Sequence, residues 1–362
     1  MQIGIMGLPG SGKTTVFNAL ANARAAVGGY SAPSAEPNLA AVKVPDPRLD
    51  QLGELFAPKK FTPAEVQYVD VAGIVRGSGK DSAGALLAHL RNTDVLLQVV
   101  RAFGSAANQG SDPTPMDDVE GLELELMVAD LDLVEKRLER IQKESKFNKG
   151  TPAERLAREQ ELELFTRLNA SLTSERPLRE VDLSPAEERA LRGYGLLTAK
   201  PLLVLFNVEE PGPAADALVT GLQAKLGAHA DAASLAGKLE MELAELPEAD
   251  AAEFMEALGI TESGLAKVIQ ISYKLARLLS FFTVGEDECR AWTIKSGSTS
   301  VDAAGAIHSD LARGFIRAEV IHWDQLLETQ TYAEARKRGW LRSEGRTYGV
   351  QDGDVLNILF NV

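Results

Sequence analysis

The chain has 362 residues, 45% of them hydrophobic, which is room for two or three folded domains with cores of their own. Its formal net charge of −14, from 38 Lys and Arg against 52 Asp and Glu, argues against wholesale coating of DNA, RNA or an anionic membrane, because phosphate binding needs clustered cations. A single cysteine, Cys289, cannot form an intramolecular disulfide, Met1 leads straight into a strand without an export signal, and no apolar run approaches the ~20 residues of a membrane span, so the expected location is cytoplasmic.

The apolar run Ile3 to Met6 predicts a buried strand, and Thr14 to Ala23 a helix. Between them, Gly7-Leu8-Pro9-Gly10-Ser11-Gly12-Lys13-Thr14 matches G-x-x-x-x-G-K-[ST], the phosphate-binding loop. Glycines let the backbone curl so that several N–H groups point at one phosphate, while Lys13 supplies positive charge and Thr14 a hydroxyl for Mg²⁺. The candidate nucleotide ligands here are Gly7, Pro9, Gly10, Ser11, Gly12, Lys13, Thr14 and Thr15.

Residues 26–44 are rich in small side chains and are expected to be an irregular loop passing over the phosphates, followed by a helix from Arg48 to Phe56. A strand from Ala64 then delivers Asp70 and Gly73, an Asp-x-x-Gly placed as the second half of a phosphate switch. Asp70 is expected to hold the Mg²⁺ shell, and the Gly73 N–H to approach the γ-phosphate, where no side chain obstructs it. Ile74 stands where Ras-like proteins keep a water-orienting Gln, so slow intrinsic hydrolysis is expected. After a further glycine-rich stretch come a helix from Leu86 to Arg91 and a buried strand from Val95 to Val100.

From Met116 to Lys146 and from Thr151 to Thr173 the text is helical with almost no breakers: Val119, Leu122, Leu126, Ala129 and Leu133 step by three and four. Two antiparallel helices are predicted, with Lys136, Arg137, Arg140, Lys143, Lys146, Lys149, Arg155 and Arg158 near their tip. This cluster is either a solvated helical face or a surface for RNA or a protein partner.

Pro201 to Asn207 returns to an uninterrupted apolar strand, ending in Asn207-Val208-Glu209-Glu210. Guanine-reading proteins carry N-K-x-D at this strand end. With Val208 for the Lys and the longer Glu210 for the Asp, the carboxylate is misplaced for guanine, and adenine is the expected base. Asn207, Val208 and Glu210 are candidate base contacts, and Gly237 could add a backbone group. A helix is predicted from Ser263 to about Leu279, and then strands at 290–294, 314–321 and 355–360 around a short helix at 301–308 form a compact α+β module. His89, His229, His308 and His322 show no metal-ligand spacing.

Taken together, GLPGSGKTTVFNAL, AEPNLAAVKVPDPRLD, DVAGIVRGSGK, NVEE, AAGAIHSDLARGFIRAEVI and YGVQDGDVLNILFNV resemble the YchF-type Obg-like ATPases, a branch of the translation-factor-related P-loop NTPases. The resemblance spans nearly the whole chain. It implies an α/β fold: a Ras-like P-loop NTPase core (1–115 and 199–278), an inserted antiparallel helical hairpin (116–198) and a C-terminal ubiquitin-like β-grasp, or TGS, α+β module (279–362). It also implies ATP as substrate in preference to GTP, Mg²⁺ as cofactor, slow hydrolysis and a ribosome partner, with rRNA or tRNA as the surface touched. Ser34 stands where the family switch has Thr, making it a further candidate Mg²⁺ ligand. Gly10 replaces an Asn of the family loop, Pro33 stands where a Cys would fall, and 104–115 lack the family's acidic stretch and its His. Potassium activation, redox control and a His-assisted mechanism are therefore not carried over. Two other readings stay open on the residues: a small-molecule kinase of nucleotide-kinase type, and a nucleotide-binding scaffold with negligible turnover.

Overall fold

The computed structural model describes residues 1–24, 38–71, 87–104, 112–146, 151–258, 260 and 263–361. In chain order the first elements are β1 (Gln2–Met6), α1 (Lys13–Arg24), β2 (Asn38–Lys43), α2 (Pro47–Phe56), β3 (Lys60–Thr62), β4 (Glu65–Asp70), α3 (87–91) and β5 (Val95–Ala102). The long helices α4 (Pro115–Lys146) and α5 (Pro152–Thr173) follow, then α6 (Pro185–Leu191), β6 (Leu202–Val208), α7 (Pro213–Gln223), β7 (Ala230–Leu235), α8 (Gly237–Glu245), α9 (Glu248–Ala257) and α10 (Gly264–Leu275). The chain ends with β8 (Leu278–Thr283), β9 (Glu288–Lys295), α11 (Ser300–Ile307), α12 (Ser309–Arg313), β10 (Phe315–His322), α13 (Trp323–Thr329), α14 (Tyr332–Lys337), β11 (Arg342–Glu344) and β12 (Asp354–Phe360).

These elements divide into two compact units. One comprises Met1–Ala23, Val27–Ala40 and Gln67–Leu265; the other comprises Arg24–Ala26, Ala41–Val66 and Ala266–Val362. Residues 41–66, which the sequence reading left with the nucleotide domain, are thus grouped with the C-terminal module.

The first unit is built on a parallel sheet in which β1 pairs with β4, from Gln67 on, and with β5, and β6 pairs with β5 and β7. All seven residues of β6 are buried, which is why Leu202 to Val208 reads as a continuous apolar run: helices cover both faces of a parallel sheet. The core joins Met6, Leu96, Val100, Val204 and Phe206 to Val119, Leu122 and Leu126 of α4. Farther along, α4 changes partner, and Met127, Val134 and Ile141 pack with Leu164, Phe165, Leu168 and Leu172 of α5. The hairpin starts and stops where local chemistry dictates: Thr151 caps α5 in a capping box with Glu154, and Pro152 occupies the first helical turn.

The second unit carries a sheet of order β11-β10-β12-β8-β9-β3. Strand β8 pairs antiparallel with β9 and parallel with β12, and β12 antiparallel with β10, which is the β-grasp order. Its core closes on α11 through Ala303 and Ala304 against Phe281, Ile294 and Leu356.

Three differences from the sequence reading are local. Residues 38–43, expected to be irregular, form the edge strand β2, while 25–37 lie outside the described residues. The helix expected to reach Leu279 ends at Leu275, because Arg277 takes a left-handed φ of 53° and turns Leu278 into β8. Strand β3, three residues long, adds in parallel to β9 at the sheet edge, with Phe61 opposite Cys289.

Candidate functional site

The phosphate-binding loop leaves the buried end of β1 and enters α1. Gly7 and Gly12 are glycines for steric reasons: a Cβ at Gly7 would overlap the Val99 carbonyl oxygen, and one at Gly12, where φ is +87°, would overlap the Asn207 side-chain nitrogen. Pro9 and Gly10 are exposed at the loop's crest, Thr15 is half-buried, and Thr14 is exposed at the start of α1.

Lys13 is buried, with 9% of its surface exposed, and its Nζ donates to the Gly7 and Leu8 carbonyl oxygens at 3.1 and 3.0 Å. Burial holds its pKa below the ordinary lysine value, against the opposing pull of Asp70. Asp70, at the last position of β4, is pushed above the usual carboxylate range by burial, with Lys13 countering. The two groups are a desolvated pair of opposite charge, one at the start of α1 and the other at the end of β4. The Ser11 Oγ is buried without a hydrogen-bond partner among the described residues, so the loop holds an orphaned hydroxyl that an acceptor-rich ligand would satisfy.

At the other end of the site, Asn207 sits at 4% exposure near the end of β6. Its Nδ2 donates to the Ser11 carbonyl oxygen at 3.1 Å, and its Oδ1 accepts from the Gly237 N–H at 3.1 Å. The carboxamide therefore bridges the phosphate loop and the start of α8. Sequence reasoning placed Asn207 and Gly237 at the base, and the structure adds that they bond to each other. Val208 is buried opposite Ala102 on β5, whereas Glu210 is exposed beyond the strand end.

The donor set fits a nucleotide with Mg²⁺: a glycine cradle, a buried ammonium, the exposed Thr14 and the Asp70 carboxylate. Gly73, Ile74 and Ser34, the remaining predicted switch residues, lie outside the described residues. Among the described residues no three His, Cys, Asp or Glu cluster as a metal site, and no helix is long and apolar enough to cross a membrane.

Two groups escaped the sequence reading. Glu240 on α8 is buried and accepts from the Gly264 N–H at 2.6 Å and the Ser263 Oγ at 2.9 Å, capping α10. Asp130 on α4 is fully buried and accepts from the Leu197 and Thr198 N–H groups, the Thr198 Oγ1 and Arg91. An acid interrupting an apolar helix stripe was the available signal for Asp130.

The comparisons agree in kind. A family model described as 50S ribosome-binding GTPase matches residues 2–143, and one for the YchF-GTPase C-terminal domain, described as a protein of unknown function, matches residues 278–361. Over 370 aligned residues the chain is 40% identical to the ribosome-binding ATPase YchF of Bacillus subtilis, with 100% of both chains covered. It is 38% identical to the protein of the same name from Escherichia coli O157:H7, covering 100% of this chain and 99% of that one. In three dimensions it matches the Schizosaccharomyces pombe YchF GTPase with a TM-score of 0.87 at 30% identity, over 99% of this chain and 97% of that one.

Proposed function

The chain belongs to the YchF family, and from that membership we propose an ATP-binding, slowly ATP-hydrolysing conformational switch that works on the ribosome in the cytoplasm. It is a nucleotide hydrolase by family; the choice of ATP over GTP is the finer step. The observation that carries the base choice is the end of β6: Val208 is packed inward and offers no cation, and Glu210 replaces the shorter acid that reads guanine. A site built for one hydrogen-bond pattern leaves buried groups unpaired with the other base.

In this reading Lys13 leaves the Gly7 and Leu8 carbonyls for the β- and γ-phosphates, and the loop N–H groups and the Ser11 hydroxyl complete the cradle. Thr14, Asp70 and Ser34 would hold Mg²⁺, which supplies charge neutralisation between the two phosphates when bound. The Gly73 N–H senses the γ-phosphate, and Ile74 gives no help in orienting water. The ribosome is the partner, through its rRNA or a bound tRNA. A kinase reading finds no support in the names of the relatives.

Direct titration tests the base choice. ATP should bind several-fold tighter than GTP, and the double variant Glu210→Asp with Val208→Lys should shift preference toward GTP. Equal affinities of the parent for both would defeat the reading. Phosphate release without transfer to added acceptors separates hydrolase from kinase.

A further inference from the structure

The second unit contains a cleft of 920 Å³ that the nucleotide site does not use. Its walls come from residues 44–51, 270–297 and 323–352, all within that unit. Both carboxylates in the wall are hydrogen-bonded to one arginine, Arg48, with the Asp352 side chain still 54% exposed. Asp46 accepts from the Arg48 Nε and from its terminal NH2 nitrogen, each at 2.8 Å; Asp352 accepts from the other terminal nitrogen, NH1, at 2.6 Å and from the Ser280 N–H at 2.8 Å.

One guanidinium between two carboxylates leaves that trio a net charge of −1, and the wall adds Lys274 and Arg277, both exposed and without a carboxylate among the described residues, which turns its balance to +1. Lys295, also exposed and unpaired among those residues, stands opposite Leu278 across β8 and β9, and the neighbouring Ser296 N–H donates to the Arg277 carbonyl oxygen at 2.8 Å. Two cations without a carboxylate partner therefore stand in the cleft wall, and Lys295 lies next to the lining residue Ser296, in a chain whose net charge is −14.

The remaining wall is suited to a ring. Trp323 lines the cleft with its indole N–H uncommitted among the described residues, and Gly353 (φ +90°) brings its own backbone so close that a Cβ there would lie 2.7 Å from the Trp323 Cδ1. Val44, Leu279 and Val350 back the cleft as largely buried apolar side chains. A pocket lined by an ammonium, a guanidinium and a half-buried indole matches a ligand that is anionic at one end and planar at the other.

We propose that this cleft binds a nucleoside monophosphate unit, either as the free nucleotide or as the 5′-phosphorylated end of an RNA strand, with the phosphate on Lys274 and Arg277 and the base against Trp323. The site is separate from the phosphate-binding loop and does not depend on which triphosphate that loop takes.

The test uses the full-length protein with the phosphate-binding loop saturated with MgADP. AMP, a 5′-phosphorylated oligoribonucleotide and adenosine are titrated separately, followed by equilibrium dialysis and by tryptophan fluorescence. Saturable binding of AMP, or of the oligonucleotide alone, is expected, the two arms distinguishing free nucleotide from strand end. Adenosine should bind at least tenfold more weakly. Lys274→Glu with Arg277→Glu should weaken the phosphorylated ligand at least tenfold, Lys274→Gln with Arg277→Gln less so, and Trp323→Phe should remove the fluorescence change, all with MgADP affinity unaltered. No saturable binding of either phosphate at millimolar concentration, or equal affinity in parent and charge-reversed protein, would overturn the proposal and leave Lys274 and Arg277 as cations at the C-terminal end of α10.

Discussion

Replacing Asn207 by Ala removes both ends of the bridge between the phosphate loop and α8 and leaves the Gly237 N–H and the Ser11 carbonyl without their partner. Each buried group so orphaned costs about 1–3 kcal/mol. Asn207→Ala should therefore lose nucleotide affinity at least tenfold by titration calorimetry, for ATP and GTP alike, because the damage is to loop position and not to base reading. A variant that kept full affinity would show the bridge to be dispensable. Lys13→Ala should abolish tight triphosphate binding, whereas Ile74→Gln should leave binding nearly intact and alter only turnover. The loop glycines and Lys13 were legible because their spacing is a local necessity. The bonding of Asn207 was not, since a strand-end Asn in sequence carries no mark of which backbone groups will reach it. Glu240 gives a pH signature of the same local kind. Burial raises its pKa, although the hydrogen bonds from Ser263 and Gly264 work against that. With the folded value above the unfolded one, the native state binds the proton more tightly, so this group's contribution to stability falls as pH climbs from the ordinary glutamate range through the raised value. Glu240→Gln should flatten that decline in thermal melts across the same range, and an unchanged slope would mean the group titrates normally.

At the scale of elements, the helical hairpin was readable to within a residue because periodicity, Pro152 and the Thr151 cap all act over one turn. The α10–β8 boundary was not, since Leu278 and Leu279 continue an apolar run and only the left-handed Arg277 reveals the change of period. The hairpin's attachment was equally hidden: Asp130 reaches across 67 and 68 positions of sequence to the N–H groups of Leu197 and Thr198. Removing one partner from such a buried charged network costs about 3–5 kcal/mol. Asp130→Ala should lower the denaturant midpoint and increase amide exchange at Leu197 and Thr198, and parent-like exchange there would contradict the staple. The tip cations are arranged differently from their appearance in sequence. Arg140 pairs with Glu144 at 3.0 Å and Lys143 with Glu139 at 3.4 Å, each at i,i+4 and exposed. Such pairs contribute about 0.3–0.5 kcal/mol and are screened by salt, so they do not withhold the cations from a stronger anionic partner. Arg140→Glu with Lys143→Glu should weaken ribosome pelleting while leaving ATP turnover by the free protein unchanged.

Over the whole molecule, nonlocal pairing is what the sequence concealed. Lys60, Phe61 and Thr62 are too few to announce a strand, and their partner β9 lies more than two hundred residues away in the chain. The β-grasp module was recognisable from its own strands, but the capture of 41–66 by that unit was not, because Asp46, Arg48 and Asp352 meet only once the chain has folded. Charge follows the same division. Residues 266–362 balance twelve Lys and Arg with twelve Asp and Glu, leaving the acidity to the rest of the chain. Contact with ribosomal phosphate should thus weaken steeply with salt, since each neutralised phosphate releases counterions.

Co-sedimentation with ribosomes, run across a salt series in the presence of a non-hydrolysable ATP analogue, ADP, or the matching GTP analogue, tests the switch most directly. The ATP analogue should give the strongest pelleting, ADP distinctly less, and the GTP analogue no more than ADP at equal concentration, with all three falling as salt rises. Pelleting that is indifferent to the bound nucleotide would contradict a nucleotide-driven ribosomal switch.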